Sequence, residues 1–311
     1  MIVRWRLEEL RALAGDRPLV VASPRWRGVL DAVHRWEEVP SHRIEVPEGV
    51  DTIVAVGGGS AIDTAKAASA TTGLPLVSVP TTYSGAEWTE FFGVRDPDRK
   101  MRGGGAGANL HAIVYEPELT LDLPRAETVG TALNALAHCA EALYVAGHNA
   151  EADAEALEGA RLIGAWLPKV VERPGDLEAR TELLRGACYA GAALGGSFLA
   201  LGHALAQGLG GRYGAPHGAL NALTLPAALR FNEPVAAEAI ARFGQALGSD
   251  DPAARVVELA RLGGFERLRD LGIPEDAPTV LADSVAARPG AQANPRPVTP
   301  ADVEALLRSI W

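Results

Sequence analysis

Three histidines and one asparagine stand in small-residue, apolar surroundings where side chains do chemistry more often than they meet solvent. His203 sits in Leu201-Gly202-His203-Ala204-Leu205-Ala206-Gln207-Gly208-Leu209, which reads as a helix. His217 follows 14 residues later, after a Gly-rich turn and Pro216, where a new helix begins. Upstream, Asn134 and His138 are spaced i, i+4 and share one face of a helix. Imidazoles placed like this can hold a metal ion, move a proton or stabilise a developing negative charge. At a helix start the dipole disfavours an imidazolium, so His217 reads as a neutral base or ligand. Taken singly, each is an ordinary buried histidine; three of the seven together make a candidate site. His34, His42, His111 and His148 lie in polar or boundary stretches and read as surface residues.

A second kind of chemistry is written in the first third of the chain. Thr52–Val56 reads as a strand and runs into Gly57-Gly58-Gly59-Ser60, with a helix over Ala61–Ala70. Glycines let a phosphate approach the backbone, and the N–H groups at a helix start favour an anion. Asp63 and Lys66 follow on that helix. After the next strand, Leu76–Pro80, the hydroxyls of Thr81, Thr82, Tyr83 and Ser84 fall at the carboxyl edge of a sheet, where α/β sites form. On their own residues, the first stretch is equally a tight turn and the second a polar loop.

The elements that must position these groups divide the chain in two. Leu7–Leu13 reads as a short helix and Pro18–Ala22 as a buried strand. The spacing of Val29, Leu30, Val33 and Trp36 predicts a helix over Trp26–Trp36, and His42–Val46 reads as a short strand. Only five residues then separate Val46 from Thr52, fewer than a parallel crossover needs, so this unit is pruned or its strand pairs in another way. Residues 81–124 read mostly as loop around Gly103–Gly105, with a strand at Ala112–Tyr115. From Glu127 onward helical patterns succeed one another, over 127–146, 151–167, 176–198, 200–209, 217–230, 234–247, 252–262 and 276–286. A last helix, 301–310, is capped by Thr299 with Pro300 at its first position. No strand is expected after about residue 116. The reading is a shortened, parallel, Rossmann-like α/β domain over 1–125 and an all-helical domain over 126–311.

Bulk properties narrow the classes. A net charge of −10 over 311 residues argues against a general nucleic-acid binder. No apolar run reaches the roughly 18–20 residues of a membrane span, and the start of the chain has no secretory apolar core. Cys139 and Cys188 lie in apolar helical stretches and read as reduced core residues, which points to the cytoplasm.

The order Gly-Gly-Gly-Ser-x-x-Asp-x-Ala-Lys, then Pro-Thr-Thr-x-x-Gly-x-Glu, then a helix bearing His138 and Glu141, then His203-x13-His217 within Leu-Gly-Gly…Pro-His-Gly, resembles the iron-containing (group III) alcohol dehydrogenase family. Within it, the loop at Pro80–Glu87, the helix at Asn134–Tyr144 and Asn294-Pro295-Arg296-Pro297 are most similar to the maleylacetate reductase-like members. The resemblance implies a dehydroquinate synthase-like fold and hydride transfer from NAD(P)H to a small carbonyl or enone substrate. It implies a cofactor pyrophosphate on Gly57, Gly58, Gly59 and Ser60, with Asp63 nearby, and Thr81, Thr82 and Tyr83 along the pyrophosphate, ribose and nicotinamide.

Metal-dependent members bind iron or zinc through one Asp and three His. Here Asn134 occupies the Asp position, His138, His203 and His217 match the histidines, and Gln207 stands where a further histidine is found. A neutral amide is a poor ligand for a divalent cation, so the resemblance implies a metal-free site in which Asn134, His138, His203 and His217 are catalytic. Three histidines holding zinc or iron is the alternative. Lys100 and Arg102 are the candidates for a substrate carboxylate. Glu45 is the one acidic candidate for a ribose hydroxyl, which leaves NAD and NADP undivided. The chain is shorter than is usual for the family, which keeps open an accessory or scaffolding role beside another pathway enzyme. A cytoplasmic homodimer acting on a small molecule is the expected form.

Overall fold

The computed structural model describes residues 1–98 and 100–311, in two compact units, Met1–Asp122 and Leu123–Trp311. The first unit holds β1 (Ile2–Trp5), α1 (Leu10–Leu13), β2 (Pro18–Ala22), β3 (His34–Trp36), β4 (Thr52–Gly57), α2 (Gly59–Thr72), β5 (Leu76–Pro80), β6 (Phe92–Arg95), β7 (Met101–Gly105) and β8 (Leu110–Tyr115). Six strands form one sheet in the order β1-β8-β5-β4-β2-β3, all parallel.

Every residue of β2, β4 and β5 is buried, because a parallel sheet is covered on both faces. Ile53 and Ala55 of β4 pack with Ile62, Ala65 and Ala68 of α2. Val54 and Val56 point the other way, into a cluster with Leu10 and Ala14. Burying a side chain the size of Ile62 contributes about 1.5–3 kcal/mol. The chain leaves β2 toward one edge of the sheet and leaves β4 toward the other. The carboxyl ends of these two strands therefore form a topological switch point, and Gly57 closes β4 there.

Between β2 and β4 the structure departs from expectation. The predicted helix over Trp26–Trp36 is absent: a single 3-10 turn, Pro24–Trp26, leads to the edge strand β3. The apolar residues that mimicked helical spacing are divided between the two sheet faces. Val29 and Leu30 join the cluster under α1, Trp36 joins the one under α2, and Val33 is exposed. His42–Val46 is not a strand; Ile44 and Val46 pack as irregular chain against the α2 side. The short spacing before Thr52 is thereby resolved, since the edge strand ends at Trp36 and 15 residues lead back to β4.

The glycines read as loop at 103–105 form β7, which pairs antiparallel with β6. This hairpin is tied to α2. Lys66, buried, donates from Nζ to the Phe91 carbonyl (2.8 Å) and Thr89 Oγ1 (3.2 Å), and Asp63 accepts the Gly93 N–H (3.3 Å).

The second unit holds α3 (Arg125–Ala142), α4 (Ala150–Glu172), α5 (Leu177–Gly195), α6 (Leu201–Tyr213), α7 (His217–Leu247), α8 (Pro252–Arg261), α9 (Ala277–Ala286), α10 (Pro289–Gln292) and α11 (Pro300–Ser309). Among the described residues no strand follows Tyr115. Helix starts carry the expected caps: Asn149, Asp176 and Asp251 each accept a backbone N–H three residues on, and Thr299 and Asp302 form a capping box. The two helices predicted over 217–230 and 234–247 follow one another across a kink at Ala236, whose backbone is non-helical (φ −129°, ψ 29°), just after Pro234. Among the described residues no helix is long and apolar enough to cross a membrane.

Candidate active site

One face of α3 carries Gly130, Asn134, His138 and Glu141, spaced 4, 4 and 3 residues apart and so stacked along the helix. Each meets a different part of α6 or α7. At Gly130 the start of α7 lies almost in contact with α3, and a Cβ on Gly218 would come within 2.5 Å of the Gly130 backbone. That glycine-on-glycine crossing brings His217, the first residue of α7, down beside Asn134. At the other end, Glu141 is wholly buried and meets the start of α6. Its carboxylate accepts the N–H of Ala200 (2.8 Å), the N–H of His203 (3.1 Å) and His203 Nδ1 (2.7 Å).

Between these anchors the imidazoles gather. His138 and His203 stack with ring centroids 4.7 Å apart and planes 14° apart, and His217 lies 5.9 Å from His203 at a tilt. His203 Nε2 faces Asn134 Oδ1 at 3.3 Å while Nδ1 faces Glu141, so both ring nitrogens are held by neighbouring side chains. Asn134 Oδ1 also accepts from Asn221 Nδ2 at 2.7 Å. Burial, reinforced by the neighbouring imidazoles of His203 and His217, holds His138 well below the usual histidine range, and it is neutral. His138 and His203 are only 5% and 1% exposed, whereas His217 is partly accessible, so His217 is the ring that an incoming molecule reaches first.

In the first unit the glycine loop has the features of an anion cradle. No side chain caps α2, and the Gly58 carbonyl takes the N–H groups of Ala61 and Ile62, leaving the starts at Gly59 and Ser60 without a capping side chain. Gly57 has φ +151°, and a Cβ there would lie 2.8 Å from Ala61 Cβ. A Cβ on Gly58 would lie 2.8 Å from Thr82 Cγ2, so the two loops are in contact only because residue 58 has no side chain. Thr81 donates its N–H to the Gly57 carbonyl (3.1 Å), and Thr82 Oγ1 lies 3.3 Å from Ser84 Oγ.

Sequence comparison identifies the source of this arrangement. Residues 128–311 match the Fe-containing alcohol dehydrogenase family, C-terminal, and residues 42–114 match iron-containing alcohol dehydrogenase. The chain belongs to the iron-containing alcohol dehydrogenase family. It is an oxidoreductase. It is 36% identical over 325 residues to a maleylacetate reductase of Burkholderia cepacia, covering 98% of this chain and 92% of that one. The maleylacetate reductase of Agrobacterium tumefaciens has a similar structure, with TM-score 0.86 and 29% identity, covering 100% of this chain and 95% of the other. An iron-containing alcohol dehydrogenase from Corynebacterium glutamicum gives a TM-score of 0.87 at 30% identity, covering 100% and 94%. The expected dehydroquinate synthase-like fold, a parallel-sheet unit followed by a helical one, is thus the family's fold.

The family name raises the question of iron. The donor set here is an amide and three imidazoles, and the amide oxygen is already engaged by Asn221 and His203. The stacked rings of His138 and His203 lie side by side instead of converging on a point. Among the described residues no group of three His, Cys, Asp or Glu side chains is arranged to hold a metal ion. As they stand, these side chains do not fit an iron or zinc centre. The glycine loop, by contrast, fits a dinucleotide pyrophosphate by the absence of capping side chains and of Cβ atoms.

The remaining candidates fall as follows. Asp63 is drawn toward the hairpin, and burial pushes its carboxyl up. Tyr83 is fully buried with its hydroxyl 3.2 Å from Thr120 Oγ1, a position behind the Thr81–Thr82 loop. Lys100 and Arg102 lie in the β6–β7 hairpin region; Arg102 Nε contacts Asp96 Oδ2 at 2.7 Å, and Lys100 is exposed. Glu45 is exposed on irregular chain. Spacing of histidines alone overlooks Asn221 and underrates Glu141. The available signal was polarity out of place: each is a polar residue inside an otherwise apolar helical run, Leu220-Asn221-Ala222-Leu223 and Cys139-Ala140-Glu141-Ala142-Leu143.

Proposed function

We propose that this chain reduces a small carboxylated enone or keto acid with NADH or NADPH, as its maleylacetate reductase relatives are named for doing, and that it works without a metal ion. The observation that carries the reading is the closed Glu141–His203–Asn134–Asn221–His217 network, in which hydrogen bonds occupy the positions where metal-dependent members place ligands.

Gly57, Gly58, Gly59 and Ser60 hold the pyrophosphate on the backbone and the α2 dipole. Thr81 and Thr82 border it, Asp63 braces α2 against the hairpin, and Tyr83 supports the loop from behind. The bound nicotinamide supplies the hydride. The N–H donors of the imidazole cluster would stabilise the negative charge that a substrate carbonyl oxygen gains on reduction. His217, the ring an incoming molecule reaches first, gives the proton that completes the saturated product, while Glu141 and Asn134 hold His203 and neutral His138 stacks on it. Lys100, with Arg102 shared with Asp96, serves the substrate carboxylate. The working form is a cytoplasmic homodimer.

Loss of absorbance at 340 nm on mixing with NADH or NADPH and maleylacetate, keto acids or aldehydes tests the activity. Metal analysis of protein purified without chelator tests the second half. Failure of both cofactors to bind at millimolar concentration overturns the reductase reading. Stoichiometric iron or zinc overturns the metal-free one.

A further inference from the structure

The segment from Val285 to Gly290 is laid along α6 on positions that have no side chain. A Cβ on Gly208 would collide with Val285 Cγ2 and lie 3.8 Å from Arg288 Nε, and a Cβ on Gly211 would lie 3.9 Å from Arg288 Nη2. A Cβ on Gly290 would lie 2.7 Å from the Ala200 carbonyl oxygen at the start of the same helix. Arg288 is half-buried, and its Nε is buried with no hydrogen-bond partner among the described residues. Burial alone shifts its guanidinium, downward from the ordinary arginine value, with no carboxylate near enough to offset the lost water. Other arginines that lose water are answered: Arg180 by the Pro174 carbonyl and Thr128, Arg242 by Asp153. His203, Gln207 and Gly211 are spaced four residues apart and form one row along α6. The row passes from buried His203 through half-buried Gln207 to exposed Gly211, and the guanidinium lies beside its open end. Among the described residues no hydrogen bond engages the Gln207 amide.

We propose that Arg288, with the Gln207 amide beside it, is a carboxylate-binding site that takes the acid group of the substrate while the substrate carbonyl is held at the imidazoles. This rests on the reductase reading, and it gives the acid a contact on the unit that carries the histidines, in addition to that of Lys100 and Arg102. A guanidinium presents a planar fork of N–H donors that meets a carboxylate through two bonds. Folding has already taken this one partly out of water, so an incoming carboxylate restores a missing counter-charge. The guanidinium lies beside positions five and eight residues along α6 from His203, about 7–12 Å of helix rise. The acid group that it takes is therefore separated from the reduced carbonyl by a few carbons.

The test uses levulinate, a keto acid of that spacing, and its methyl ester, which has nearly the same shape without the charge. Arg288→Gln removes the charge and the fork, and Arg288→Lys keeps the charge alone. Losing a hydrogen bond to a charged group weakens binding by about 10–100-fold. In Arg288→Gln the kcat/KM for levulinate relative to the ester falls by that factor, mainly through KM, and Arg288→Lys falls part of the way. A general distortion of the site lowers both substrates alike and leaves the ratio unchanged, so the ratio separates recognition from packing. Titration calorimetry of levulinate, with and without oxidised cofactor, gives saturable binding to the wild type and a Kd raised about 10–100-fold in Arg288→Gln. Arg288→Lys decides if the glutamine variant does not fold. A Kd within about threefold of wild type in the folded variant, a levulinate-to-ester ratio that does not fall, or no saturable binding of levulinate to the wild type, overturns the proposal. The titration needs no turnover. A wild type that reduces nothing with either cofactor therefore counts against the reductase reading, while the titration alone decides the role of Arg288.

Discussion

Replacing Glu141 probes the strongest anchor of the site. Its carboxylate is wholly buried and accepts three N–H groups, from the Ala200 backbone, the His203 backbone and His203 Nδ1. In Glu141→Ala all three are left in a dry cavity. Each unsatisfied buried donor costs about 1–3 kcal/mol, and breaking a buried charged pair by removing one partner costs about 3–5 kcal/mol as a whole. A loss of about 4 kcal/mol is expected. At about 2–4 °C per kcal/mol for a unit of this size, the melting temperature falls by about 8–16 °C. Glu141→Gln keeps the shape and one acceptor oxygen but turns an N–H against an N–H, so it loses about half as much, near 2 kcal/mol. Scanning calorimetry and urea titration of the three proteins read these differences directly. Glu141→Ala melting within about 2 °C of wild type would refute the claim that this carboxylate anchors α3 to α6.

Three further outcomes follow from the same geometry. Gly58→Val drives a side chain into Thr82, where even a Cβ would sit 2.8 Å from Cγ2. It should weaken NADH binding by tenfold or more, about 1.4 kcal/mol, with far-UV circular dichroism unchanged; fluorescence titration checks it. Asn134→Asp places a carboxylate beside His203 and Asn221, and is expected to take up more zinc or iron than the wild type, read by elemental analysis. Burial pushes the Glu87 carboxyl up, with Oε2 lacking a partner among the described residues and Oε1 accepting from Tyr115 (2.7 Å). Because the folded form holds its proton more tightly than the unfolded chain, this carboxyl contributes most at low pH, and stability is lost as pH rises from the ordinary Glu range through the raised folded value. Glu87→Gln removes that dependence. Its melting-temperature advantage over wild type should therefore grow with pH from about 4.5 and then level off; a constant difference would contradict the assignment.

Much of the molecule was legible from local pattern. Helices of the second unit are long, small-residue rich and capped by Asn149, Asp176, Asp251 and Thr299, so their limits follow from nearby residues. The glycine loop was readable because strand, glycines and helix stand in immediate succession. Residues 26–46 were misread because Val29 and Trp36, seven residues apart, mimic one helical face while packing on opposite sides of a sheet, a distinction only tertiary structure makes. The β6–β7 hairpin was hidden by its composition, since Gly103, Gly104 and Gly105 carry no strand propensity; Lys66 and Asp63 hold it from α2. In the site, the histidines stood out by type. Asn221 did not, because its importance lies in which atoms it faces.

The approach of Gly218 to Gly130 bears on how this enzyme tolerates change. Position 218 carries no side chain, and any side chain placed there meets α3 backbone at 2.5–3.0 Å and must lift the first turn of α7, His217 with it. A mutational scan scored for activity should mark these two glycines as intolerant as the histidines. Scored for soluble expression, it should find the partly accessible His217 replaceable and Gly218 not. Shape and chemistry would thus separate in one experiment, and the more heritable constraint on the site would prove to be an empty space.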